Sequence, residues 1–149
     1  MKPRVYLDTS VFSAYYDRRL PERQRQTREF WLRRAGFDLA TSELAREELM
    51  QVLDAVRRRR LLVMLRRVAV HPVTTAINEL TQRYLAAGVF TAAMHNDAVH
   101  VAAAVLTQHD VLLSWNFKHL VNRRRRAEVN TLNVSWGLST IEIVAPPEL

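Results

Sequence analysis

Val5-Tyr6-Leu7 is an apolar run that stops on a carboxylate, Asp8, followed by two hydroxyls, Thr9 and Ser10, and a second apolar run at Val11-Phe12. A short apolar run bounded in this way reads as a buried strand that delivers Asp8 to its end. The pattern recurs along the chain. Phe37–Thr41, Asp110–Ser114 and Thr140–Val144 read as strands, and Val68–Val70 as a short strand or a turn. Helical stretches separate them: 11–16, 22–35 with Gly36 as its cap, 42–56, 61–65, 74–87 ending at Gly88, 91–108 and 121–136. Val111, Leu112 and Leu113 form a continuous apolar run, as a parallel strand buried on both faces requires. Alternating strands and helices predict an α/β fold with a parallel sheet covered on both sides by right-handed crossovers. Sites in such sheets form beyond the carboxyl ends of the strands.

The bulk numbers narrow the chemistry. A chain of 149 residues is expected to form one domain, over 1–149, with a sizeable core. It has no Cys, which excludes disulfides, thiolate zinc sites and a thiol nucleophile. With only Gly36, Gly88 and Gly137, no glycine-rich phosphate loop is possible. No apolar run approaches the roughly 20 residues of a membrane span, and no apolar signal core precedes Asp8, so a cytoplasmic location is expected. The net charge of +7 is concentrated in Arg57–Arg60 and Arg123–Arg126; without those eight residues the remainder carries −1. Such runs mark either a solvated helix face or contact with a polyanion, RNA, DNA or an acidic protein segment. Arginine suits bidentate pairing with phosphate or carboxylate.

Asp8, Ser42, Ser114 and Asn116 all follow strand ends. Asp38 and Asp110 precede their strands and belong at the opposite edge. In the helix after Ser42, a natural N-cap, the apolar residues Leu44, Ala45, Leu49, Val52, Leu53 and Val56 span an arc of about 180°. Glu48 falls inside that arc, at about 40° from Leu44, and Glu47 outside it, at about 300°. Asp97 opens the small apolar helix Ala98–Leu106, where only Asn96, His100 and Thr107 form a polar edge. Each residue has an ordinary reading alone. Asp8 caps a helix, Asp97 answers a helix dipole, Glu48 pairs with a buried arginine, and Asn116 holds a turn. These readings do not explain why all four gather at one sheet edge. Three carboxylates about 4 Å apart repel by a few kcal/mol per pair at an effective dielectric near 20, and a hard divalent cation relieves that.

Val5-Tyr6-Leu7-Asp8-Thr9-Ser10, Ser42 with Glu48-Leu49, Asn96-Asp97-Ala98-x-His100-x-Ala102 and Leu113-Ser114-Trp115-Asn116-Phe117 together resemble the PIN-domain nucleases, most closely the VapC-type toxins. The resemblance runs in order over nearly the whole chain. It implies a three-layer α/β/α sandwich, dependence on Mg²⁺ or Mn²⁺, cleavage of single-stranded RNA, with single-stranded or structured RNA as the partner, a homodimer and an antitoxin. Carried over by position, Asp8, Glu48 and Asp97 match the acids that hold the metal, and Asn116 joins them as a catalytic residue. Ser10 and Ser114 match polar positions that place water or phosphate. The departure is Asn116, where the family often has a fourth Asp; the site then holds three charges, which counts against a tightly held second metal. Trp115 offers either packing or a surface for a base, and His100 either structure or support for Asp97.

Three other readings remain open on the sequence alone: a catalytically weak or inactive PIN-like module that binds RNA or protein, motivated by Asn116; a phosphoryl-transfer domain with Asp8 as nucleophile, disfavoured because Ser10 stands where a second acid is wanted; and an adaptor whose arginine runs bind an acidic peptide.

Overall fold

The computed structural model describes all of residues 1–149. Five strands form the sheet: β1 (Arg4–Leu7), β2 (Asp38–Ser42), β3 (Ala69–His71), β4 (Val111–Leu113) and β5 (Glu142–Val144). Their order across the sheet is β3-β2-β1-β4-β5, and every neighbouring pair is parallel. Parallel neighbours need long crossovers, which seven helices supply. These are α1 (Thr9–Ser13), α2 (Pro21–Leu32), α3 (Glu43–Met50), α4 (Ala55–Met64), α5 (Thr75–Ala86), α6 (His95–Leu106) and α7 (Arg123–Ser135).

Alternation along the strands sorts two cores. Val5, Leu7, Val111 and Leu113 face one side, where they meet Val11, Phe12, Phe30, Trp31, Leu49 and Leu61. Tyr6, Leu112 and Ile143 face the other, against Ile77, Tyr84, Val129 and the buried run Ala98–Val105. The result is the expected three-layer α/β/α sandwich. Truncating a fully buried strand residue such as Leu113 to Ala is expected to cost about 2–5 kcal/mol.

From β1 the chain moves outward through β2 to β3, then returns to β4 on the other flank of β1. The order therefore switches between β1 and β4. At such a point the outgoing connections diverge to opposite faces and leave a crevice beyond the strand ends. Asp8 lies there, its backbone N–H donating to the Leu113 carbonyl.

The sequence reading needs three corrections. The helix expected over 42–56 is two helices. It stops at Met50, and Asp54 starts α4 by accepting from the Arg57 N–H, so Leu53 (96% exposed) and Val56 (54%) leave the apolar arc. Ser42 holds the N-cap position of α3 without a capping bond, because its hydroxyl turns inward to accept from the Tyr6 phenol at 2.7 Å. Gly36 closes a 3-10 turn with no left-handed backbone, whereas Gly88 does take it (φ +79°) after α5.

Candidate active site

Asp8 is buried, and its backbone is extended where β1 gives way to α1. One carboxylate oxygen accepts from the Ser10 N–H and the other from the Ser114 hydroxyl at 2.6 Å. Ser114, fully buried at the end of β4, also accepts from the Asn116 N–H at 2.9 Å. Ser10 accepts from the Trp115 N–H at 2.9 Å. Two serines thus stitch the outlets of β1 and β4 together around one carboxylate. The helix-cap reading of Asp8 is correct as far as it goes, and the capping bond is only half of what holds it.

Glu48 is half-buried on α3, as its place in the apolar arc predicts, while Glu47 is exposed. Its Oε1 accepts from Thr9 Oγ1 at 2.7 Å and from His100 Nε2 at 2.7 Å. His100 is buried, and its other nitrogen lies 2.8 Å from the Tyr6 hydroxyl. With that phenol donating to Ser42, its oxygen is left to accept from a protonated His100. Burial alone would lower the pKa of His100; Tyr6, the hydrogen-bonded Glu48 carboxylate and the charge of Asp8 outweigh it and push it up to about 10. Burial alone would raise Glu48, but the bond to His100 and its charge, with help from Thr9 and Asn96, leave it below its ordinary value. This is an ion pair with one buried and one half-buried member, and the sequence offered His100 for Asp97 instead.

Asp97 sits in the first turn of α6. Its Oδ1 accepts from Asn116 Nδ2 at 3.2 Å, and its Oδ2 lies 2.9 Å from His119 Nδ1. The Asn116 carbonyl oxygen is taken by the His119 N–H at 2.9 Å. Burial pushes the Asp97 carboxyl above its ordinary value; His119 opposes this, and the charge of Asp8 adds to it. Asp8 and Asp97 are therefore close enough to feel each other.

The structure brings all six predicted residues, Asp8, Ser10, Glu48, Asp97, Ser114 and Asn116, to one edge. It does not draw the three carboxylates into one ready cluster, since each is turned onto its own protein donors, and no group of three His, Asp or Glu side chains is placed to hold a metal ion. The sequence reading missed Thr9 and His119. Thr9 belongs to the opening motif, and a lone His a few residues past Ser114 was a signal available to be read. Trp115 is packing: it is 6% exposed and its indole N–H donates to Thr27 Oγ1 at 2.9 Å.

A parallel α/β fold with acids gathered at its switch point defines the class. The chain belongs to the PIN-domain family, whose model matches residues 5–116. No curated protein matches the sequence. Among solved structures, a toxin–antitoxin complex from Klebsiella pneumoniae is similar with a TM-score of 0.59 at 15% identity, over 81% of this chain and 93% of that one. VapC20 of Mycobacterium tuberculosis, a sarcin–ricin loop cleaving toxin, is similar at 0.57 and 16%, over 72% and 86%. A VapBC-5 structure from the same organism is similar at 0.53 and 20%, over 95% and 98%. At these identities the likeness is one of fold. No helix is long and apolar enough to cross a membrane.

Proposed function

We propose that this chain is a divalent-metal-dependent endoribonuclease that cuts single-stranded RNA, and that it is the toxin of a toxin–antitoxin pair. The observation that carries this reading is the placement of three acids at one sheet edge, Asp8 at the end of β1, Glu48 on α3 and Asp97 in the first turn of α6. Their chemistry fits a hard cation. The donors are carboxylates, no thiolate exists in the chain, and one or two carboxylates with waters and a substrate phosphate suffice for Mg²⁺. Asp8 and Asp97 would hold Mg²⁺, or Mn²⁺ in its place, with Glu48 joining them directly or through water. Such an ion, when bound, activates water and offsets negative charge at the phosphodiester.

The chain's own residues do the rest. Ser10 and Ser114 fix the direction of Asp8. His100 and Thr9 hold Glu48 ionised, with its Oε1 occupied, so that Glu48 orients a water. Asn116 acts through Asp97, because both ends of its amide are engaged. A homodimer is part of the proposal, as is an antitoxin whose Arg or Lys enters the acidic edge. The site of action is cytoplasmic. The VapBC complexes of the same fold support the antitoxin.

The test is incubation of the pure chain with a broad panel of RNAs and Mg²⁺ or Mn²⁺, beside Asp8→Asn and EDTA controls. Cleavage confined to the metal-loaded wild type is expected. Identical patterns in all three would overturn the enzyme reading in favour of a binding module, the reading that Asn116 in place of a fourth acid favours. Co-purification with the product of a small adjacent reading frame would identify the antitoxin.

A further inference from the structure

Phe117 is the most exposed aromatic residue of the chain, at 48%, and it follows directly on Asn116, which holds Asp97. The sequence pointed to Trp115 as a surface for a base, but Trp115 is buried. Phe117 stands beside it, the ring centroids 6.1 Å apart in an edge-on contact. The Arg23 guanidinium lies over both rings, 5.0 Å from the Trp115 centroid and 5.6 Å from that of Phe117. Trp115 therefore buttresses Phe117, and Arg23 orders it, while half of the residue stays open.

Phe117 lines a cleft of about 480 Å³ together with Thr91, Met94, Lys118 and Asn122, and there Arg124 is paired with Glu128 at 2.7 Å. Thr91 and Met94 lead into α6, whose first turn carries Asp97. None of the other large exposed apolar residues, the 96% exposed Leu53 included, lines this cleft. A single aromatic ring with exposed cations around it is a poor surface for an apolar protein partner. It matches a nucleotide, whose base presents a π-face and whose phosphate presents charge.

We propose that Phe117 is a base-stacking residue. It takes an unpaired base of the RNA strand next to the phosphodiester that metal at Asp8 and Asp97 would hold, while the exposed Lys118 meets a flanking phosphate. This rests on the reading of that edge as an RNA site, and it names a specificity-determining residue within it. A stacked base requires the strand to be unpaired at that point, so the platform selects single-stranded over duplex RNA.

The experiment separates this proposal from the nuclease reading. Metal-loaded wild type, Phe117→Ala and Phe117→Tyr are compared on one cleaved RNA and on copies with a single abasic nucleotide at each position around the cut. Phe117→Ala is expected to raise KM about tenfold on the intact RNA. One abasic position should raise the wild-type KM by the same factor and leave Phe117→Ala unmoved, and Phe117→Tyr should restore the wild-type value. In parallel, RNA carrying 2-aminopurine at that position is titrated with each protein in EDTA, where fluorescence quenching reports stacking without chemistry. Quenching that depends on Phe117 supports the platform even in a protein that cleaves nothing. Cleavage with KM and quenching indifferent to Phe117 overturns the platform and leaves the nuclease standing. No binding of RNA by any of the three proteins overturns both.

Discussion

His100 Nε2 lies 2.7 Å from Glu48 Oε1, and this contact decides where the second acid of the site points. The imidazole is clamped on its other side by Tyr6, which is fully buried beneath α6. Replacing His100 by Gln is expected to destabilise the protein by about 1–3 kcal/mol, because it strips a charged donor from the buried Tyr6 oxygen and the half-buried Glu48 carboxylate. The pH dependence gives the sign. His100 has a raised folded pKa, so its contribution is complete below its unfolded value, near 6.5, and is lost as pH rises toward about 10. Glu48 is lowered, so its contribution is lost as pH falls below its ordinary value. Urea unfolding of wild type and His100→Gln from pH 6 to 10 measures this. Parallel curves across that range would mean that His100 gives up its proton as readily in the fold as in the unfolded chain.

Asp97→Asn separates a metal-holding acid from a structural one. Burial and Asp8 disfavour the charge at position 97 in the metal-free fold. A neutral amide is therefore expected to leave metal-free stability unchanged or raised, while activity falls by about 100-fold or more and metal no longer raises the melting temperature. A clear loss of metal-free stability would mean that Asp97 serves chiefly to hold Asn116 and His119.

Ser114→Ala tests the stitching of β1 to β4. The hydroxyl donates to Asp8 and accepts from the Asn116 N–H, and the contact with Asp8 is buried. Its loss is expected to cost about 1–3 kcal/mol and to lower cleavage about tenfold or more, since both Asp8 and the turn carrying Asn116 lose their tether. Denaturation and rate are read on the same sample. Lost stability with an intact rate would confine Ser114 to the fold.

Much of this was legible in the sequence, and the limit has a physical cause. Val5–Asp8 and Val111–Ser114 announce themselves because a doubly covered strand must be apolar up to the residue where it emerges. Glu48 could be told from Glu47 because a helix turns by a fixed angle. Partners across the fold carry no such period. Nothing local says that His100 reaches Glu48, that Tyr6 clamps His100, or that Ser42 abandons its cap for the Tyr6 phenol. The break at Asp54 was visible as a capping residue, but the apolar residues Leu53 and Val56 masked it. The arginine runs likewise look uniform until folded. Arg125 donates to the His119 carbonyl and covers Phe90, Arg126 donates to the Ile143 carbonyl, and Arg57 and Arg59 stay exposed.

Acid stability also depends on a histidine away from the acidic site. His109 is buried at the entrance to β4, with Nδ1 2.7 Å from Thr107 Oγ1 and its ring edge-on to Tyr6 and His71. Burial, with the charges of Arg4 and His71, lowers its pKa to about 4. A histidine kept neutral in the fold but free to charge when unfolded favours unfolding in acid. Its contribution is complete above about 6.5 and is lost as pH falls toward about 4, amounting to about 3 kcal/mol at most. His109→Gln keeps a neutral polar side chain and removes the titration. Stability measured by urea between pH 7 and 4 should therefore fall less steeply in the variant than in the wild type, the two curves converging as pH drops. The carboxylates titrate in both proteins, so the difference between the curves isolates His109. A constant offset across the range would mean that His109 is protonated in the fold as readily as in the unfolded chain.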